Sequence, residues 1–413
     1  MTEQLSRPTR RNPLARTRLP VPLGGPRSRA AQGLTQAAAE GVFRLQVCTV
    51  CRAATYPPRD VCPRCLSGEL VFEACDPHGV LVAETRIDIS GEVHFRERAP
   101  WRIGSVRMDC GPMVVAHLHG GVAQGQRVRM TLMLDKTGGA AMVALPATYG
   151  DVPPDDRVLR EFTCDPKFRR VLVTDGRSSL GQAMVTALRE AGAAEIFVGV
   201  ADGWKPFGGE AALRAQAGVS PVVLDLTDTQ SVMECASQIG GRVDIIVNTA
   251  EHVRAGGVMA AQGVSEARAA LELRSLGLMR LAQGFGPIMR MRGADGVDSA
   301  CALVNVLAVH ALMNWPEFGV ASAAEAAALS MSQCLRAEFR GGGIRVLNVF
   351  AGPQDTEWFQ TVPAPKVAPM VLARAVVAAL RGGGEDCFVG DVAEDYRARL
   401  AANAKALERE LGA

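Results

Sequence analysis

Aromatic side chains are scarce in this chain, 5% in all, and only three of them are tyrosines, Tyr56, Tyr149 and Tyr396. Surfaces that stack nucleic-acid bases interleave aromatics with cations, and no stretch does so here, which argues against a nucleic-acid reader. Long apolar runs are also missing. The longest uncharged stretch, Ser299 to Pro316, contains Asn305, His310, Asn314 and Pro316, so it reads as a buried strand and loop and no membrane span is expected. A secretory leader is not found, so the eleven cysteines are not expected to form a disulfide framework and a cytoplasmic address follows. Net charge is close to zero, 45 Lys and Arg against 43 Asp and Glu. What the chain does have is 413 residues, 48% of them apolar and 21% charged. That is enough for two or three domains with real cores and excludes disorder or a fibrous repeat as a description of the whole.

The neutrality is uneven. Between Met1 and Ala30 stand seven arginines and one acid, Glu3, with Pro8, Pro13, Pro20, Pro22 and Pro26 among them, leaving a mildly acidic remainder. Prolines at that density prevent sustained helix or strand hydrogen bonding, so residues 1–33 are expected to be a disordered basic tail. An organelle-targeting leader would need the amphipathic helix that these prolines break, and a nucleic-acid arm is the third reading.

Cysteines carry the first chemical signal. Cys48-Thr-Val-Cys51 and Cys62-Pro-Arg-Cys65 form a CxxC pair separated by ten residues. Each knuckle places two thiolates on one metal, and two knuckles close a tetrahedron with no open position, so a structural zinc ion is expected. A redox-active dithiol is the competing reading. Beyond the knuckles, short apolar runs (79–83, 104–108, 113–118, 126–132 and 140–145) separated by turns suggest a small β-barrel. A short helix from Thr35 to Phe43, the cysteine quartet with Pro57-Pro58-Arg59, the Gly79 strand, the Gly125-Gln-Arg-Val turn and the closing Leu145-Pro146 resemble the zinc-ribbon plus OB-fold family that accompanies thiolase-like and other acyl-CoA enzymes. The resemblance implies a helix and rubredoxin-like ribbon over residues 34–74 and an OB-fold barrel over 75–150, with an acyl-CoA or an enzyme as partner. OB-folds also bind nucleic acid, but this barrel offers Phe95, Trp101 and little else for stacking.

Residues 151–166, with Pro153-Pro154-Asp155-Asp156, read as a linker. β-like runs at 170–174, 195–200, 222–226, 243–248, 302–306 and 345–350 then alternate with helical stretches, the signature of a doubly wound α/β Rossmann domain over 167–396; residues 397–413 form a terminal helix. Thr174 to Gly181, Asp225, Asn248-Thr249-Ala250-Glu251 and Gly352-Pro353 stand in the order in which short-chain dehydrogenases/reductases carry their phosphate turn, adenine-contacting acid, NNAG loop and PG loop, so this part resembles that family. The resemblance places cofactor-binding positions at Thr174, Asp175, Ser179, Gly181, Asp225 and Asn248, but two of the turn's glycines have become Asp175 and Ser179. The NNAG glycine is Glu251, and an acid at either place repels phosphate, with Arg177 offsetting part of that charge.

The catalytic asparagine, serine, tyrosine and lysine of the family fall on Arg274, Ala308, Ala321 and Glu325. Carbonyl reduction needs a proton donor whose pKa a neighbouring cation lowers; a methyl group at Ala321 is no donor, and Glu325 acts in the opposite sense. No catalytic residue is assigned, and NAD(P) is not expected. The helices 271–291 and 321–339, through which the family dimerises, keep their pattern. The resulting expectation is a non-catalytic subunit of an acyl-CoA-processing, β-oxidation or thiolase-type complex, hetero-oligomeric with a thiolase-like enzyme or an active dehydrogenase paralogue. The alternatives are an atypical NAD(P)-dependent 3-hydroxyacyl-CoA or ketone reductase using Glu251 or His310, and a nucleic-acid-binding OB-fold protein.

Overall fold

A computed structural model describes residues 29–90, 95, 99–135, 138–148, 156–292, 301–340 and 342–412. The basic tail through residue 28 and the linker residues 151–155 lie outside the described residues. The chain divides into two compact units, one running to Cys164 with Gly382–Glu385 added, the other holding most of the remainder from Asp165 onward.

In the first unit, helix α1 (Arg29–Glu40) starts earlier and stops sooner than the expected 35–43. Its Leu34, Ala37 and Ala38 are buried against the barrel interior, and burial of that apolar stripe, at about 25 cal/mol per Å², fixes its position. A three-stranded ribbon follows, ordered β2 (Ala54–Thr55), β1 (Arg44–Cys48), β3 (Leu70–Ala74). The barrel is closed in the order β4 (His78–Ile87), β5 (Trp101–Met108), β6 (Met113–Leu118), β8 (Ala140–Pro146), β7 (Arg127–Leu134). Strict alternation along β6 and the first half of β7 sends Val114, Ala116, Leu118, Val128 and Met130 inward, as period-two patterning requires.

The expected linker is structured where it is described. Asp156 caps helix α2 (Arg157–Phe162) by accepting from Val158 N at 2.7 Å, and also accepts from Gly120 N at 2.9 Å. That anchor lays Leu159 and Phe162 on Trp101, Met133 and Leu145. Trp101, only 4% exposed, is therefore core and not a stacking platform, and Phe95 meets it edge-on at 5.3 Å.

The second unit is a seven-stranded all-parallel sheet in the order β11 (Val219–Val223), β10 (Glu195–Val200), β9 (Arg170–Val173), β12 (Ile245–Asn248), β13 (Ala302–Ala308), β14 (Arg345–Ala351), β15 (Asp386–Val389). The order reverses between β9 and β12, and the carboxyl ends there form the crevice in which doubly wound sheets bind ligands. Crossover helices include α3 (Ser179–Glu190), α5 (Thr229–Ile239) and α9 (Pro369–Gly382), with a short α4 (Glu210–Arg214). The continuous helix expected over 271–291 is instead α6 (Gly263–Leu271), a π-turn (Glu272–Leu276) and α7 (Gly277–Arg292). Helix α8 (Gly319–Arg340) matches the expected 321–339 closely, but its alanine run divides: Ala321, Ala324 and Ala328 are buried while Ala323 and Ala326 are exposed. Helix α10 (Asp391–Leu411) starts well before residue 397 and is broken at Asn403 (φ −163°, ψ 94°), whose side chain caps the last turns by accepting from Ala406 N at 3.0 Å.

In the ribbon, the residue after each CxxC turns left-handed, Arg52 at φ 58° and Leu66 at φ 61°. Each knuckle closes alike, Arg52 N donating to Cys48 O and Leu66 N to Cys62 O, both at 2.9 Å. A side chain in that region costs about 1–2 kcal/mol relative to glycine. Leu66 is 79% exposed and has little packing to lose. Leu66→Gly should therefore stabilise the zinc-loaded protein by about 1 kcal/mol, read as a rise in the thermal midpoint; a fall would show that Leu66 makes stabilising contacts.

Candidate functional site

Two places carry functional chemistry. In the first, the four sulfurs of Cys48, Cys51, Cys62 and Cys65 all lie within 4.8 Å of one another, with Cys48 to Cys65 at 3.5 Å and Cys51 to Cys62 at 3.6 Å. Zinc–sulfur bonds of about 2.3 Å in a tetrahedron put sulfurs about 3.8 Å apart, so the donor set fits a four-thiolate structural zinc site. A hydrogen bond from the Cys51 backbone N–H leads the causes that pull the Cys48 thiol down to about 6, favouring the thiolate that a metal requires.

The second place is the crevice at the strand ends. Asn248, Asn305 and Asn348 stand in register across β12, β13 and β14. Thr174 Oγ1 donates to Asn248 Oδ1 at 3.1 Å, Asn305 Nδ2 to Ser332 Oγ at 3.0 Å, and Ser332 Oγ to Asn348 Oδ1 at 2.5 Å. Asn248 is thus one rung of a buried amide ladder that ties the sheet together at this end. The other two rungs were legible only as asparagines inside apolar strands, where an amide must find partners.

At the phosphate turn, Asp175 folds its carboxylate back onto the backbone: Oδ1 accepts from Arg177 N at 2.9 Å, and the Ser178 backbone and hydroxyl also reach it. Burial pushes this carboxyl up, against the lowering effect of the Arg177 N–H and guanidinium. Ser178 Oγ takes Gly181 N at 3.0 Å as the cap of α3. Glycine is required at Gly181 by the backbone itself, since a Cβ there would lie 1.7 Å from the Asp175 carbonyl oxygen. Ser179 is the first residue of α3 and exposed. Asp225 is occupied internally, accepting from Thr227 N at 2.8 Å and Thr227 Oγ1 at 2.7 Å. Arg177 pairs with Asp202 at 3.3 Å. Asp202, two residues past β10, was missed from sequence although an acid about 20 residues beyond a glycine turn is the ribose-contacting position of such folds.

Three of the four positions on which the family's catalytic residues were expected to fall, Arg274, Ala308 and Glu325, are joined by hydrogen bonds. Arg274, in the π-turn, donates to Glu325 Oε2 at 2.7 Å and to Val306 O at 2.7 Å, and also bonds Ala250 O. Glu325 Oε2 further accepts from Ala308 N at 3.1 Å. Both charged side chains are only 4% exposed, so each buried charge has its counter-charge beside it. Ala321 is buried with Val253, Phe318 and Phe359, and Trp315 packs against them, so aromatic bulk adjoins the position where the family keeps its tyrosine. The cavity left among Thr249, Glu251, Arg274, Ala308, Glu325 and Gln354 measures about 10 Å³, room for about one water. A larger hollow of about 340 Å³ lies among Arg254, Gly257, Ala261, Gln262, Glu266 and Val320.

Glu251 accepts from Gln354 Nε2 at 3.1 Å, and burial pushes its carboxyl up to about 7, with the nearby charges of Glu325 and Asp175 adding to the rise and Arg274 opposing it. His310 is 4% exposed, its Nδ1 lacks a hydrogen-bond partner among the described residues, and burial lowers it to about 3, favouring the neutral imidazole.

The family model described as enoyl-(acyl carrier protein) reductase matches residues 176–405, more than half the chain. The chain belongs to this family. Ahead of that domain, residues 35–71 match a ChsH2-type rubredoxin-like zinc ribbon and residues 73–132 a ChsH2-type OB-fold, so the chain is a ribbon and barrel fused to a short-chain dehydrogenase domain. A short-chain dehydrogenase from Burkholderia cenocepacia, solved in complex with NADP, is 31% identical, with a TM-score of 0.54 over 60% of this chain and 98% of that one. A short chain dehydrogenase from Aspergillus terreus is 26% identical over 197 residues, 46% of this chain and 42% of that relative, so the chain spans less than half of that protein's length. An uncharacterized oxidoreductase from Staphylococcus aureus is 26% identical over 215 residues, 51% of this chain and 89% of the relative. No helix among the described residues is long and apolar enough to cross a membrane.

Glu325→Ala leaves Arg274 buried without its counter-charge and should destabilise the second unit by roughly 3–5 kcal/mol, while Arg274→Met with Glu325→Leu should recover most of that loss. Urea unfolding of the single and double variants checks both. Glu251 gives a pH signature. Its folded pKa lies above the ordinary 4.5, so its contribution is fully present below that value and is lost as pH rises through about 7. Glu251→Gln should match the wild type at pH 5 and exceed its stability by about 2 kcal/mol at pH 8; parallel pH profiles would refute the assignment.

Proposed function

We propose that this chain is a non-catalytic, cytoplasmic subunit of an acyl-CoA-processing assembly. In it, the ribbon and barrel engage a thiolase-like enzyme or an acyl-CoA, and the dehydrogenase-like unit pairs with an active paralogue. The observation that carries the reading is the buried Arg274–Glu325 pair. It occupies two of the four catalytic positions, bonds the backbone of a third, Ala308, and leaves no donor at the fourth, Ala321. Carbonyl reduction needs a proton donor beside the hydride acceptor, and a cavity of about 10 Å³ admits no substrate carbonyl.

The dinucleotide reading fails on the same kind of ground. The N–H groups of Arg177 and Gly181 are already taken by Asp175 and Ser178, and the acids Asp175 and Glu251 oppose a pyrophosphate, so the residues present do not fit NAD(P). The exposed alanines of α8, Ala323 and Ala326, leave room for close approach of a partner helix. The hollow of about 340 Å³ falls in the size class of small-ligand sites and is where acyl-thioester binding is to be sought.

A second reading, an atypical reductase, is favoured by one observation: Glu251, pushed up to about 7, has the pKa of a general acid–base. Calorimetric titration with NADPH separates the two. The proposal expects no saturable heat and no oxidation of NADPH with enoyl- or 3-oxoacyl-CoA. It also expects co-purification from the native host with a thiolase-like enzyme or a dehydrogenase that retains its serine, tyrosine and lysine. Steady NADPH turnover by the purified chain would overturn it.

A further inference from the structure

The hollow of about 340 Å³ lies wholly in the second unit, walled by the loop that follows β12, the start of α6, and Val320 at the start of α8. The loop is held at two points. Val253 is buried with Phe318, Ala321 and Phe359, and Gly256 N donates to Glu317 O at 2.7 Å just ahead of α8. Ala255, Gly257, Ala260 and Ala261 line the space with almost no bulk, and Val320 gives it an apolar side.

Arg254 is the one cation in this lining. Its guanidinium carbon lies 3.7 Å from the centre of the Trp358 ring, and Nη1 donates to Val253 O at 2.7 Å. Trp358 is placed in turn by its neighbour Phe359, which is buried beside Val253 in the same aromatic cluster. These contacts orient the cation without neutralising it, and Arg254 forms no ion pair with any acid among the described residues. One N–H is spent on Val253 O, which leaves four for a ligand. Glu266, the one acid in the lining, turns Oε2 to His252 Nε2 at 3.2 Å, and Gln262 adds an uncharged amide. Small-ligand sites combine apolar walls with a few placed polar groups in this way, and an arginine already oriented matches the two oxygens of a carboxylate.

We propose that the hollow takes an acyl group whose far end is a carboxylate, the monothioester of a dicarboxylic acid, with Arg254 as counter-ion and the small-residue walls around the carbon chain. This rests on the reading of the hollow as an acyl-thioester site and adds the class of acyl group. It holds whether or not the chain turns its ligand over, because recognition here needs charge and shape and no proton donor.

The test is calorimetric titration of the full, zinc-loaded chain with three probes: adipoyl-CoA, hexanoyl-CoA, which has the same acyl length without the carboxylate, and CoA alone. Adipoyl-CoA should bind at least about tenfold more tightly than hexanoyl-CoA, the worth of hydrogen bonds between charged groups. Arg254→Gln should erase that preference and leave the affinity for hexanoyl-CoA unchanged. Val320→Phe, which narrows the hollow, should weaken both acyl-CoAs and spare CoA. Equal affinity of the wild type for the two acyl-CoAs would overturn the proposal while leaving the acyl-thioester reading in place. So would a preference that survives Arg254→Gln, or a loss in that variant shared by all three probes, which would put a CoA phosphate on Arg254. If neither acyl-CoA binds better than CoA, or Val320→Phe changes neither, both readings of the hollow fall.

Discussion

A buried cation facing a buried acid organises the second unit. Arg274 and Glu325 lie on elements far apart in sequence, the π-turn and α8, and between them they take up Ala250 O, Val306 O and Ala308 N. Desolvating two charges is expensive unless each finds both its counter-ion and hydrogen bonds, and here each does. The loop after β12, the end of β13, the π-turn and α8 are thereby fixed relative to one another. Rigidity and closure come from one interaction.

The same logic runs through the phosphate turn. Asp175 and Ser178 satisfy the N–H groups of Arg177 and Gly181 from within the turn. The close approach of the Asp175 carbonyl leaves no room for a Cβ at Gly181. In the first unit, α2 supplies Phe162 to cover Trp101, and the four thiolates substitute metal bonds for the core that a ribbon of this size lacks.

How much of this was legible follows from the range of each interaction. The CxxC spacing specified the zinc site because knuckle geometry is local, and the alternation of strand and helix specified the Rossmann unit because hydrophobic period is local. Ala308, Ala321, Arg274 and Glu325 were also singled out from the sequence, position by position. Their pairing was not, because Arg274 and Glu325 meet only when the π-turn and α8 pack, and a single helix over 271–291 hides the bulge that aims Arg274 inward. α2 was read as linker because its apolar residues, Leu159 and Phe162, are few and their partner lies on the barrel.

The sequence alone therefore determined the zinc ligands, the order of the modules and the doubly wound class, since each depends on residue identity and near-neighbour spacing. The tertiary structure alone decided that the buried charges of Arg274 and Glu325 neutralise each other and that α2 covers Trp101. Both are contacts between segments distant in sequence, whose energy depends on burial, and burial exists only once the chain has folded.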